Sequence, residues 1–178
     1  VAEAVGCDVS DVMLSSTGVI GEPLEMDQIA AASQALAKEA AEAPLTSAAE
    51  AIMTTDTFAK WAVAEAGGIR VVGICKGSGM IAPDMATMLG YIFVEAAVDP
   101  KWLQATLSDV AERTFNSVTV DSDTSTSDTV LAFGLSTGAV VDGAAHLDGL
   151  AQAIFDVSDQ LAEMLARDGE GASKLVNI

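Results

Sequence analysis

The chain has 178 residues, enough for one domain with a real core, and 51% of them are hydrophobic while only 4% are aromatic, which indicates closely packed small side chains and not disorder. Its formal net charge of −18, from 8 Lys and Arg against 26 Asp and Glu, excludes a nucleic-acid or anionic-membrane surface, because such a surface needs clustered cations. No apolar run approaches the roughly twenty residues of a membrane span, no basic segment leads into an apolar core, and Cys7 and Cys75 form no disulfide framework; a reducing, cytoplasmic setting is expected.

Val1–Val5 reads as the end of a helix stopped by Gly6. Val12–Leu14 is a short strand-like run, and the Ser/Thr/Gly cluster 15–21 after it is a turn by composition. Met26–Glu42 has the period of an amphipathic helix, with Ile29, Ala32, Leu36 and Ala40 on one face, and Pro44 breaks it. Thr46 or Ser47 is placed to cap a second short helix, with Glu50 completing a capping box. The segment 51–57, with Thr54, Thr55, Asp56 and Thr57, reads on its own as a loop held by local side-chain bonds. Phe58–Ala66 and Ile69–Cys75 form a hairpin around Gly67-Gly68.

Ile69–Cys75 and Met88–Val94 suit buried strands, and between them runs Lys76-Gly-Ser-Gly79-Met-Ile-Ala-Pro-Asp-Met-Ala-Thr87-Met-Leu89. Gly77 to Ala82 fits G-x-G-x-x-A, but Pro83 and another apolar run follow where a helix would have to open, so the dinucleotide-binding reading fails. Taken alone, Lys76 is a surface lysine and Thr87 a strand-starting β-branched residue. Asp99-Pro100 opens a helix as N-cap and first-turn proline, with Trp102, Leu103, Leu107, Val110 and Thr114 on its packing face.

The acids and hydroxyls of 116–130 invite a calcium loop. An EF-hand begun at Asp121 needs glycine at its sixth position and glutamate at its twelfth, where Thr126 and Ala132 stand, so calcium is not expected. Thr129–Leu135 is a strand, Ser136–His146 a loop, and Leu147–Arg167 a long helix ended by Asp168-Gly169. His146, the sole histidine, is a base by chemistry but a bland residue by position, just ahead of that helix. Lys174–Ile178 is strand-like.

The stretch from Lys76 to Leu89 resembles the self-cleavage site of the ornithine acetyltransferase family, the bifunctional glutamate N-acetyltransferases of arginine biosynthesis. The resemblance implies cleavage between Ala86 and Thr87, which frees the Thr87 α-amine as the base for its own hydroxyl. Such an amine titrates at about 7.7–8.0, so a useful fraction is unprotonated near neutrality. Ser16-Thr-Gly-Val-Ile-Gly21 resembles the family's oxyanion segment and implies that role for Thr17 and Gly18, a hydroxyl and a close-approaching backbone N–H. Ile52-Met-Thr-Thr-Asp-Thr57 resembles the family segment that reaches substrate, implying Thr54 with Thr55 as its neighbour; Lys76 and Glu170, the latter in Gly169-Glu-Gly-Ala-Ser-Lys174, are implied as further substrate contacts. Val120-Asp-Ser-Asp-Thr-Ser-Thr-Ser-Asp-Thr129 resembles a family stretch with Ser122 where glycine, and Ser127 where asparagine, is usual, and is expected to order the loops around Thr87; Ser173 replaces a threonine.

The implied fold is α/β, that of a self-processing N-terminal-threonine-nucleophile acyltransferase with sheets covered by helices. On this resemblance 1–178 is one incomplete catalytic domain, an internal fragment, with 1–86 the C-terminal part of an α chain and 87–178 the N-terminal part of a β chain. The implied reaction is ping-pong: an acetyl group passes from N-acetylornithine to Thr87 and on to glutamate, and some members also accept acetyl-CoA. No metal or tightly bound cofactor is implied, and the assembly that the resemblance implies is a heterotetramer of two α and two β chains. Two other readings remain open on the residues: a self-processing amidohydrolase or aminopeptidase, and a non-catalytic ligand-binding domain of the same fold.

Overall fold

The computed structural model describes residues 1–39, 43–81, 88–141 and 143–176. Three helices precede the sheet: α1 (Ala2–Val5), stopped by Gly6 in the left-handed conformation, α2 (Met26–Glu39) and α3 (Leu45–Ala51). The α2 helix covers the described part of the expected Met26–Glu42, of which 40–42 lie outside the described residues, but none of its residues is buried, and Ile29 and Leu36 remain 42% and 61% exposed. Residues 12–14 pair with no strand among the described residues, and Met13 and Leu14 face solvent; a short apolar run without a neighbouring edge does not become a strand. The α3 helix starts before the expected caps. Pro44 occupies the N-cap, Thr46 and Ser47 lie inside the first turn, and no side chain caps the end.

The sheet begins with the hairpin of β1 (Lys60–Ala66) and β2 (Ile69–Lys76), paired antiparallel. Gly67 and Gly68, at φ 58° and 81°, make the turn that needs two left-handed residues. β3 (Leu89–Ala97) adds antiparallel to β2, and after α4 (Pro100–Arg113) the chain returns as β4 (Thr129–Val140), parallel to β3. The order is thus β1-β2-β3-β4. Asp99 caps α4 through backbone N–H donations from Lys101 and Trp102, both at 2.9 Å. β4 runs on through Val140, beyond the expected end at Leu135. A bulge between Val94 and Ala96 resets the register so that Ala139 and Val140 pair with Ala96 and Ala97.

The last helix, α5 (Ala144–Arg167), starts earlier than expected, from Gly143, and takes His146 into its first turn. It lays Leu150, Ile154, Val157, Leu161 and Leu165, all fully buried or nearly so, against β1 and β2. Leu103, Leu107 and Val110 of α4 join the same core, with Trp102 packed at its edge. Gly73 lets α5 approach β2 closely: a Cβ there would stand 2.6 Å from Val157 Cγ1 and 2.8 Å from Leu161 Cδ1. The described residues therefore hold one sheet with α4 and α5 on one face, where sheets covered by helices were expected. The other face carries Trp61, Val63, Val72, Phe93 and Leu135 around a cavity of about 330 Å³, with Phe93 stacked on Phe133 at 5.5 Å. Residues 174–176 belong to no helix or strand, unlike the expected run to 178, of which the last two lie outside the described residues.

Candidate active site

One end of the sheet collects the starts of β1, β3 and β4 and the finish of β2, since Lys60 pairs with Cys75, Lys76 with Leu89, and Leu89 with Thr129. The C-terminus of α5 comes down at the same end. Thr17, Gly18, Thr54, Lys76 and Glu170, separated by as much as the length of the domain in sequence, all line one cavity of about 590 Å³ there, together with Thr55, Gly79, Met80 and residues 123–127. Ala86 and Thr87 lie outside the described residues; Ile81 and Met88 are the described positions on either side of that stretch.

Each wall has a local cause. The segment holding Thr17 and Gly18 is tethered by a hydrogen bond between the Ser15 hydroxyl and the Tyr91 phenol of β3. Lys76, the last residue of β2, is 3% exposed. Burial pulls its ammonium below the ordinary lysine value; Asp56 opposes that pull, Lys60 adds to it, and Asp128 opposes it again. Beyond Lys76 the loop turns back on the end of α5. Ser78 accepts from the Glu170 N–H at 2.6 Å through its carbonyl and bonds the Thr55 hydroxyl at 2.7 Å through its own hydroxyl. The Glu170 carboxylate packs on the α-carbon of Gly79, where any Cβ would collide with Oε2.

The acid- and hydroxyl-rich loop before β4 grips the backbone on both sides of 82–87. Asp121 accepts from the N–H groups of Met80 and Ile81 at 2.6 and 2.9 Å, and Val120 N–H donates to the Ile81 carbonyl at 2.6 Å. On the far side Met88 N–H donates to Asp128 Oδ1 at 2.9 Å, and Thr129 N–H donates to the Met88 carbonyl at 3.1 Å. Burial pushes the Asp128 carboxyl up to about 6 against the Met88 and Ser125 backbone contacts and the Lys76 charge, which pull it down. Its Oδ2 is buried with no hydrogen-bond partner among the described residues. Ser122, in the place where glycine is usual, sits in the left-handed region at φ 65°.

Beneath the cavity floor lies a cluster that the sequence reading passed over. Lys60 Nζ donates to Asp56 Oδ1 at 2.7 Å and to Asp168 Oδ2 at 2.6 Å, with all three side chains essentially buried. Asp56 also accepts from Gly77 N–H at 2.7 Å and Thr54 N–H at 3.0 Å, while Asp168 takes the hydroxyl and, at 3.0 Å, the N–H of Thr57. Burial alone would raise both carboxyls, but these donors outweigh it and hold both below the ordinary aspartate value. One signal could have exposed the cluster: in the alternation Lys60, Ala62, Ala64, Ala66, a lysine stands on the face that packs inward.

Chemically, the cavity offers hydroxyls, the buried Lys76 cation and the carboxylates of Asp121, Asp123 and Glu170, charges of both signs that suit a small zwitterionic ligand. The family model described as "ArgJ family" matches residues 1–178. The arginine biosynthesis bifunctional protein ArgJ of Rhizobium meliloti (strain 1021) is 51% identical over 188 residues, covering 99% of this chain and 46% of its own length. Its counterparts in Nitrobacter winogradskyi and Symbiobacterium thermophilum are 49% and 47% identical, covering 99% of this chain and 45% and 46% of their own lengths. The chain thus spans about half the length of the curated relatives it matches. With the match running from the first residue to the last at this level of identity, the chain belongs to the ArgJ family.

Proposed function

We propose that this chain carries the acyl-transfer centre of a glutamate N-acetyltransferase of arginine biosynthesis, working in the cytoplasm on N-acetylornithine and glutamate. The observation that carries the reading is the convergence of Thr17, Gly18, Thr54, Lys76 and Glu170 on one cavity, beside a loop that holds the backbone at Ile81 and at Met88. Cleavage between Ala86 and Thr87 gives Thr87 a free amine, and 1–86 and 87–178 then belong to α and β chains of a two-plus-two assembly with an N-terminal-nucleophile fold.

In the first half-reaction the Thr87 hydroxyl attacks the acetyl carbonyl of N-acetylornithine, and its proton passes to the Thr87 amine. Thr17 and the Gly18 N–H stabilise the oxyanion, worth about 2.7–4 kcal/mol for each such donor. The C–N bond then breaks, the proton moves to the departing ornithine nitrogen, and acetyl-threonine remains. The glutamate amine reverses these steps and leaves as N-acetylglutamate. Lys76 faces a substrate carboxylate, Glu170 a substrate ammonium, and Thr54 supplies a hydrogen bond between them. Acetyl-CoA enters by acylating the same threonine.

The reaction products test this reading in a polypeptide carrying this chain at the full length of its relatives. N-acetylornithine with glutamate should yield N-acetylglutamate, and without glutamate the enzyme should stop after one acetyl group per site. Steady release of acetate in the absence of glutamate would instead mark an amidohydrolase.

A further inference from the structure

We infer that Lys60 is a positioning residue for substrate binding, resting on the acyl-transfer reading above: its single buried ammonium ties together the three segments that carry Thr54, Lys76 and Glu170. Through Asp56 it holds the 54–57 loop, because the other Asp56 oxygen accepts from Thr54 N–H, and it holds the loop after β2, because Gly77 N–H donates to the same oxygen as Lys60. Gly77 follows Lys76 directly. Through Asp168 it holds the C-terminus of α5, two residues before Glu170, and Thr57 donates twice to that carboxylate. The Lys60 side chain is fully buried, and its ammonium lies 4.9 Å from the centre of the Phe58 ring.

A buried cation facing two carboxylates is a costly way to fill a core, since apolar residues of similar volume stabilise as well or better. What the ion cluster supplies in place of stability is geometry. Two carboxylates, one in the 54–57 loop and one at the end of α5, accept from the backbone N–H groups of Thr54, Thr57 and Gly77, and one ammonium sets the distance between the carboxylates. Thr17 and Gly18 are tied elsewhere, through Ser15 and Tyr91. Lys60 therefore bears on the groups that hold substrate and leaves the oxyanion donors and the backbone grips at Ile81 and Met88 alone.

The test uses the full-length protein and the double variant Lys60→Met/Asp168→Asn, which removes the ammonium and one carboxylate together, so that the net charge of the cluster is unchanged and Asp56 keeps the N–H groups of Thr54 and Gly77. Asp168→Asn alone is the milder second variant, keeping the Lys60–Asp56 pair. Self-cleavage should proceed as in wild type, and acetyl-threonine should form at saturating N-acetylornithine at a rate within about threefold of wild type. The KM for N-acetylornithine should rise about tenfold or more in the double variant and by a smaller factor in Asp168→Asn. A merely structural role would lower the melting temperature and the active fraction with KM unchanged, and that result in either variant overturns the inference. A wild-type enzyme that never forms acetyl-threonine overturns the acyl-transfer reading and this inference with it; a wild type that does, beside variants of unaltered KM, overturns this inference alone.

Discussion

Asp56 and Asp128 stand at the same end of the sheet, and both are pushed upward by burial, yet they end on opposite sides of the ordinary aspartate value. Asp56 takes three donors, the Lys60 ammonium and the N–H groups of Gly77 and Thr54, and is held low. Asp128 has only the backbone contacts of Met88 and Ser125, with no ammonium bonded to it, and a buried second oxygen without a partner among the described residues, and rises to about 6. Burial does not decide the sign; the number of donors facing the carboxylate does. The first carboxylate is a tether. The second holds the backbone at Met88.

Asp56→Ala is the strongest way to break the contrast. It leaves the Thr54 and Gly77 N–H groups without their acceptor and takes from the Lys60 ammonium one of its two carboxylates, and the cost should be about 3–5 kcal/mol, read as a fall in the denaturation midpoint at unchanged slope. A loss below about 1 kcal/mol would mean that the cluster is solvated in solution.

The two carboxylates should also titrate stability in opposite senses. The folded Asp128 keeps a proton that the unfolded chain gives up, from the ordinary 3.8 to about 6, so its ionisation costs stability as pH rises through that interval and the cost stays in place above it. Asp128→Asn should therefore melt close to wild type at about pH 4 and above wild type at neutral pH, with the gap opening between the two. For Asp56 and Asp168 the folded values lie below the ordinary 3.8, so their contribution is complete above it and is lost as pH falls through the lowered values. Asp168→Asn should accordingly flatten the acid limb of the stability profile and leave the interval where Asp128 titrates untouched. The smallest effect is expected in the loop that carries Asp128. Ser122→Gly relieves a left-handed serine, and the melting temperature should rise with a gain of about 0.5–1 kcal/mol.

What the sequence made legible follows from how local each cause is. The Gly67-Gly68 turn and the Asp99-Pro100 helix start are written within a few residues, and the structure has both. The extension of β4 to Val140 depends on Ala96 and Ala97 across a bulge, and the early start of α5 depends on Gly143 at φ 84° with no capping side chain, so neither leaves a local mark. The Thr46 and Ser47 caps were locally plausible but lost to Pro44, whose extended backbone ends the preceding segment first. Motif resemblance named Thr17, Gly18, Thr54, Lys76 and Glu170 one by one; that they line a single cavity is a property of the fold. Lys60 could not be read as their tie, because Asp168 lies 108 residues away.

The mass of the intact polypeptide under denaturing conditions bears most directly on the central claim. At the full length of its relatives, the wild-type protein should give two chains divided between Ala86 and Thr87, the Thr87 chain should gain one acetyl group on exposure to N-acetylornithine, and Thr87→Ala should give one undivided chain. A single uncut, unacetylated mass from the folded wild type would contradict it.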